Sequence, residues 1–142
     1  MGVIATALDS LRTKLTQSPA SLTNIPANVS IDDAPDVDKT YFRLRVAGGP
    51  QLGAMHGTGS LNEFTTDIAL DLFWKIGVDS EEVWDTVADD VQNAHTVLLK
   101  ESNKTSGVVV INPRGFSYEE TPNYIRGTGL FEVRFRVSAD LT

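Results

Sequence analysis

The chain has 142 residues, of which 41% are hydrophobic and 22% are charged, and its formal net charge is −7 at pH 7. This length predicts one domain, residues 1–142, and the acidic balance makes the chain a poor partner for nucleic-acid phosphates, which proteins bind through Lys and Arg. The chain has no cysteine, which excludes disulfide bonds, a thiol nucleophile and cysteine-bound zinc.

The first predicted element is a helix from Val3 to Thr16. Its apolar residues recur at helical spacing: Ile4, Ala7, Leu8, Leu11 and Leu15. We expect no signal peptide, because the segment lacks a basic start and a long apolar run. No part of the chain approaches the ~20 apolar residues of a membrane span, so no membrane is expected. The next residues are rich in proline and aspartate, and they predict a long surface connection.

Two runs of alternating residues follow, "TYFRLRVAG" from Thr40 and "TTDIALDLFWKIG" from Thr65. Alternation is typical of strands with one buried face, so the runs predict an antiparallel hairpin. Between them lies the glycine-rich segment Gly48–Ser60, which contains no Gly-Lys-Ser/Thr of a phosphate-binding loop. We therefore expect a mobile hairpin tip that orders against a partner. Its apolar residues are candidates for that contact: Leu52, Met55 and Leu61.

A second amphipathic helix is predicted from Asp79 to Glu101. Its apolar stripe comprises Val83, Val87, Val91, Ala94 and Leu98. A short buried strand over residues 108–111, a turn over 112–115, a second long excursion over 116–129 and a closing strand from Leu130 complete the chain. These elements predict an α+β fold: an antiparallel sheet of about four strands, two helices packed on one face, the order α-β-β-α-β-β, and a long hairpin loop.

The sequence offers little catalytic chemistry. It has no His-Glu-x-x-His and no Gly-x-Ser-x-Gly, and the aspartate-rich stretch over residues 32–38 lacks the glycine and glutamate of a calcium-binding loop. His95 is predicted to pack beside the helix stripe and His56 to be solvated, while both tryptophans, Trp74 and Trp84, are predicted in the core. We therefore predict no catalytic residue, no cofactor and no metal.

The outward side of the predicted sheet carries a concentration of charge. Its residues are Arg43, Arg45, Asp67, Asp71, Lys75, Glu132, Arg134 and Arg136. One interpretation is cross-strand charge pairing on a solvated face. The other is an assembly interface in which this face contacts a neighbouring subunit, as heterologous ring contacts require.

The order of elements resembles the tail terminator proteins of long-tailed bacteriophages. The resemblance covers most of the chain: the first helix, the strand pair around the glycine-rich loop, the helix "DSEEVWDTVADDVQNAHTVLLKE" and the closing strand "LFEVRFRVSADLT". It implies a virion protein, assembled in the host cytoplasm, that forms a hexameric ring. Such a ring caps the tail-tube protein and joins the head connector, while DNA passes through its lumen without specific binding.

Three alternatives stay open at this point. The chain is also compatible with a tail-tube subunit or connector stopper of the same machine. The second alternative, from a different class of protein, is a small enzyme whose site lies between the sheet and the long loops. The third is a cytoplasmic binding module.

Overall fold

The computed structural model describes residues 3–25, 40–48, 51–55, 61–76, 80–101 and 107–138. In chain order they form α1 (Val3–Leu15), β1 (Thr23–Asn24), β2 (Thr40–Val46), β3 (Gln51–Met55), β4 (Leu61–Lys75), α2 (Ser80–Glu101), β5 (Val108–Glu120) and β6 (Tyr124–Ser138). The fold is α+β, as predicted. The predicted strand count and order are wrong in detail, because β1 and β3 were not expected. Neither described helix is long and apolar enough to cross a membrane.

The strands form one six-stranded sheet in the order β1-β2-β4-β6-β5, and β3 pairs with β4. β2 and β4 are antiparallel neighbours, which confirms the predicted pairing of the two alternating runs. β1 runs parallel to β2, so the sheet is mixed and not purely antiparallel. β1 has only two residues, too few for an alternating pattern to be recognisable.

The glycine-rich segment is only partly a loop. Gln51–Met55 forms β3, which pairs with β4 through Gln51–Thr65 and Leu52–Phe64 and has an irregular register before Met55. β4 begins at Leu61, four residues before the predicted strand. The backbone N–H and C=O groups of this early part need hydrogen-bond partners, and β3 pairs with it. Residues 49–50 and 56–60 of the segment lie outside the described residues, so the predicted mobility stays a prediction.

The predicted turn over residues 112–115 and the excursion over 116–129 are wrong. β5 continues from Val108 to Glu120, and β6 begins at Tyr124. Pro113 and Gly115 lie instead at a bulge of β5. Because β5 is the last strand of the sheet, a proline without an N–H is tolerated there. Gly115 has a φ of 154°, which side-chain-bearing residues rarely adopt.

Both helices pack on one side of the sheet, as predicted, and we call this side the inner face. Leu44, Leu70 and Val133, each of which lies next to a charged residue along its strand, are buried in one hydrophobic core with Leu11 of α1 and Leu98 of α2. Val46, two residues beyond Leu44 on β2, is not buried: it lies at the end of the strand and is 43% exposed.

Asp90 of α2 connects the helix to the inner face by hydrogen bonds. Its Oδ2 accepts a bond from Trp74 Nε1 at 2.8 Å and a second from the Thr40 hydroxyl. Trp74 is buried, as predicted. Trp84 is not: it is 37% exposed and lies against Tyr118, with ring centroids 5.5 Å apart.

Phe116 of β5 lies over two glycines of β6. A Cβ atom at Gly127 would be 2.6 Å from the Phe116 ring, and one at Gly129 would be 2.5 Å from it. The ring thus fills the inner-face space that two side chains would occupy. His95 of α2 lies between Phe116 and Phe131, with centroid distances of 5.6 and 5.2 Å, which confirms the predicted packing role.

Candidate functional site: the outer face of the sheet

The outer face is the side of the sheet away from the helices, and strand register decides which of its side chains are neighbours. Arg43 of β2 lies opposite Asp71 of β4, which lies opposite Thr128 of β6. The predicted residues on this face are Arg43, Arg45, Asp67, Asp71, Lys75, Glu132, Arg134 and Arg136. The structure adds further residues, including Glu63, Ala69, Phe73, Arg114, Glu119, Arg126, Thr128 and Leu130.

Asp71 is one of two carboxylates buried on this face, and only 2% of its surface is exposed. Arg45 Nε donates a hydrogen bond to Asp71 Oδ2 at 2.8 Å, and Thr128 Oγ1 donates to Oδ1 at 2.9 Å. Arg126 Nη2 reaches the same Oδ1 at 3.3 Å. Both carboxylate oxygens are therefore bonded, so the charge can be buried.

The arginines determine the protonation of this carboxylate. Burial alone would raise the pKa of Asp71, but the hydrogen bonds from Arg45 and Thr128 and the charges of both arginines outweigh it, so the pKa lies below its ordinary value. The hydrogen bond to Asp71 in turn raises the pKa of Arg45. Asp71 is thus an ionised partner for arginine at neutral pH, without a proton to give in general-acid chemistry.

Phe73 continues the outer face beyond Asp71. The guanidinium carbons of Arg43 and Arg126 lie 5.7 and 5.8 Å from the centre of the Phe73 ring, within the range of cation–π attraction. Phe73 itself is buried together with Ile25 and Tyr41. Arg126 is therefore held between the Asp71 carboxylate and an aromatic ring.

A second buried carboxylate lies towards the other end of β4. Glu63 is 5% exposed. Its Oε1 accepts a hydrogen bond from Arg136 Nη2 at 3.2 Å, and its Oε2 is 3.9 Å from Arg134 Nε. The side chains of both arginines are nearly half exposed. The arrangement around Asp71 is thus repeated, with the carboxylate underneath and the cations towards solvent.

Leu130 lies between the two carboxylate sites. It is 45% exposed and lies opposite the fully buried Ala69. In the adjacent row Asp67 lies opposite Glu132, and Glu132 forms an ion pair with Arg114. The middle of the outer face therefore combines one exposed apolar side chain with arginines on both sides.

The structure places every predicted charged residue of this face on it, but it changes the role of Asp71. Asp71 was predicted to be exposed beside Arg43 and Arg45, and it is buried beneath arginine instead. Sequence reasoning missed Arg126 and Thr128, because residues 116–129 were interpreted as an excursion. The signal was present: polar residues alternate with Ile125, Gly127 and Gly129 from Tyr124 onward. Sequence reasoning also did not single out Leu130, the first residue of the predicted closing strand.

The structure says less about the predicted contact residues of the glycine-rich segment. Leu52 and Met55 belong to β3, and Leu61 begins β4; their side chains lie outside the described residues. His56 and the aspartate-rich stretch 32–38 also lie outside them. Among the residues that the structure describes, no group of three or more His, Asp or Glu is placed to hold a metal ion.

No model of a known protein family matches this chain. No curated protein is significantly similar to it in sequence.

Proposed function

We propose that the protein is a structural subunit of a bacteriophage tail: a tail terminator that forms a hexameric ring, caps the tail tube and joins it to the head connector. The resemblance of the sequence to tail terminators supports this proposal. So does the layout of the domain, in which both helices pack on one side of the sheet and no described helix covers the other. A ring subunit needs such a surface for its neighbours.

The observation that carries the proposal is Leu130, exposed in the middle of the outer face and flanked by arginines. Protein interfaces typically combine an apolar centre with arginine and a polar rim. Leu130, with Arg45 and Arg136 bonded to buried carboxylates on either side of it, gives the outer face this composition. The outer face therefore fits contact with another protein.

The net charge of −7 is compatible with DNA passing through the ring. A wall that held phosphates would retain the DNA, whereas an acidic one repels it. We assign no catalytic residue in this function, and the arginines of the outer face serve as contact residues.

A tail-tube subunit or connector stopper is the second candidate. The observation that favours it is the size of the sheet, which has six strands and includes two of 15 residues each. A tube subunit polymerises with its own kind into a long tube. A terminator binds at one end of an existing tube and stops its growth.

Light scattering combined with size-exclusion chromatography, and electron microscopy with the tail-tube protein of the same genome, distinguish these functions. We expect a ring-sized oligomer that binds tube ends and limits tube length. Leu130→Asn is expected to weaken assembly at least tenfold, because a polar amide at the centre of the contact loses the apolar burial of leucine. Val46→Asn is the matched control, since Val46 is exposed to a similar extent at the end of β2. Open-ended polymers would indicate a tube subunit, and a monomer at all concentrations would contradict assembly.

Amide hydrogen exchange over Gly48–Ser60 tests the enzyme alternative. We expect protection of this segment when tubes are added, because a partner surface offsets the entropy cost of ordering a glycine-rich chain. The measurement compares the protein alone, with nucleotide and with tubes. Protection by nucleotide alone would overturn the assembly function and favour a phosphate-binding enzyme.

A further inference from the structure

Helix α2 carries an acidic stripe on its exposed side. Glu82, Asp85 and Asp89 are spaced by three and four residues, which places them on one side of a helix. All three are exposed. The buried residues Val87 and Leu98 belong to the opposite side of the same helix. The stripe is therefore directed away from the sheet.

The outer face of the sheet has the opposite charge character. Two of its carboxylates, Asp71 and Glu63, are buried beneath arginines. Glu132 is paired with Arg114, and the exposed carboxylates of this face in the described chain are Asp67 and Glu119, which lies opposite Arg126. The charges that a neighbouring molecule meets on this face are thus mainly guanidinium groups.

We propose that the outer face of one copy of this chain binds the acidic stripe of α2 on a second copy. The inference rests on the proposed function as a self-assembling subunit, and it names the contact that joins the subunits. Arginine suits such a contact because its planar group forms paired hydrogen bonds with carboxylates. The two surfaces lie on opposite sides of the domain, one on the helix layer and one on the sheet.

Such a contact is heterologous. Each copy uses its outer face on one neighbour and its stripe on the other, so copies add head to tail until the ring closes. Because the charged groups are partly exposed, the contact is expected to weaken with salt: the screening length falls from roughly 14 Å at about 50 mM to roughly 4 Å at about 500 mM.

The test uses two neutralised variants that each keep one intact surface. The face variant carries Arg114→Gln and Arg134→Gln, which leaves Asp71 with all its partners and Glu63 with Arg136. The stripe variant carries Asp85→Asn and Asp89→Asn. Each alone is expected to self-associate about tenfold more weakly than the natural chain. Mixed at equal concentrations, they are expected to form one-to-one heterodimers and nothing larger, because only one productive contact remains. Native mass spectrometry measures this.

The matched control carries Lys14→Gln and Lys100→Gln, two exposed helix positions outside both surfaces. It changes the net charge as the face variant does and is expected to assemble like the natural chain. Thermal unfolding verifies that each variant is folded.

Three outcomes would overturn the inference. If the natural chain assembles and both variants assemble equally well, this contact is wrong while the proposed function stands. If the natural chain stays monomeric in every condition, the proposed function fails as well. If the face variant loses affinity for a labelled DNA duplex but not self-association, the outer face is a polyanion site instead.

Discussion

Two polar side chains of β4 are fully buried on opposite sides of the sheet, and their hydrogen bonding differs. Asp71 on the outer face is bonded by Arg45, Arg126 and Thr128. Thr66 on the inner face is 0% exposed, and its hydroxyl has no hydrogen-bond partner among the residues that the structure describes. An unbonded buried hydroxyl costs stability, whereas a bonded one contributes to it.

Two Thr→Val substitutions should therefore have opposite effects. Thr66→Val removes the unbonded hydroxyl at nearly constant shape, and we expect it to raise the free energy of unfolding by about 1 kcal/mol. Thr128→Val removes a donor to Asp71 and should lower it by about 1–2 kcal/mol. Urea unfolding of both variants checks this. A loss of stability in Thr66→Val would mean that its hydroxyl is bonded.

Asp71 should also make stability depend on acid pH. A carboxyl whose pKa is lower in the folded chain stabilises the fold at pH values above its unfolded pKa, about 3.9 for aspartate. That contribution is lost as the pH falls from there through the folded pKa. We therefore expect the free energy of unfolding to decrease over this window in the natural chain.

Asp71→Asn is the control for the pH experiment. At neutral pH it should cost about 1–3 kcal/mol, because Arg45 and Arg126 lose their counterion while part of each side chain still reaches water. Its stability should fall less steeply below about pH 4. Equal slopes in the two proteins would show that Asp71 is not the responsible group.

At the level of elements, one side-chain contact links both strands of the β5–β6 hairpin to the helix layer. Phe116 of the edge strand β5 covers Gly127 and Gly129, and it also contacts His95 of α2. An aromatic ring over glycine compensates for the missing side chains of the neighbouring strand. The ring therefore joins the last strand of the sheet to the helix layer.

Gly129→Ala should disturb this contact. Its Cβ would meet the Phe116 ring at 2.5 Å, so the ring must move, and we expect a loss of about 1–3 kcal/mol. Gly48→Ala is the matched control, because a Cβ there meets nothing within 4 Å. Denaturant midpoints of the two variants give the comparison. Similar small effects would mean that Phe116 moves aside without cost.

This contact also shows why the start of β6 was not predicted from the sequence, whereas other elements were. Alternation predicted β2 and most of β4, and helical spacing predicted both helices, because burial repeats along one element at a time. Gly127 and Gly129 occupy inward positions of β6 without being apolar, so the pattern looked like a loop. Their inward role depends on Phe116 from another strand, which no local window contains.

The candidate site was predictable to a similar extent. The alternation of Arg43, Arg45, Arg134 and Arg136 placed them on the correct face. The burial of Asp71 was not predictable, because it needs Arg126 and Thr128, more than 50 positions away in sequence.

At the level of the whole molecule, one core includes residues from both helices and from both ends of the chain. Leu70 of β4 is fully buried in it, in the same cluster as Leu8 of α1, Leu98 of α2 and Phe135 of β6. Helices and sheet are thus expected to unfold together, which is the behaviour of the single domain predicted from the sequence.

Leu70→Ala should lower the free energy of unfolding by about 2–5 kcal/mol through lost burial and a cavity. Circular dichroism of the helices and fluorescence of the tryptophans should still give coincident transitions. Leu130→Ala, on the exposed side of the neighbouring strand, should change stability by less than about 0.5 kcal/mol. Separate transitions would contradict a single domain.

The buried carboxylates under the arginines affect the side-chain entropy that any contact at this face must lose. A free surface arginine samples many rotamers, and fixing one costs on the order of 2 kcal/mol. Arg45 and Arg136 are already bonded to Asp71 and Glu63 in the isolated chain, so folding has restricted them before any encounter. At these two positions a partner therefore meets guanidinium groups that are already bonded, and binding removes less side-chain freedom than at a free arginine.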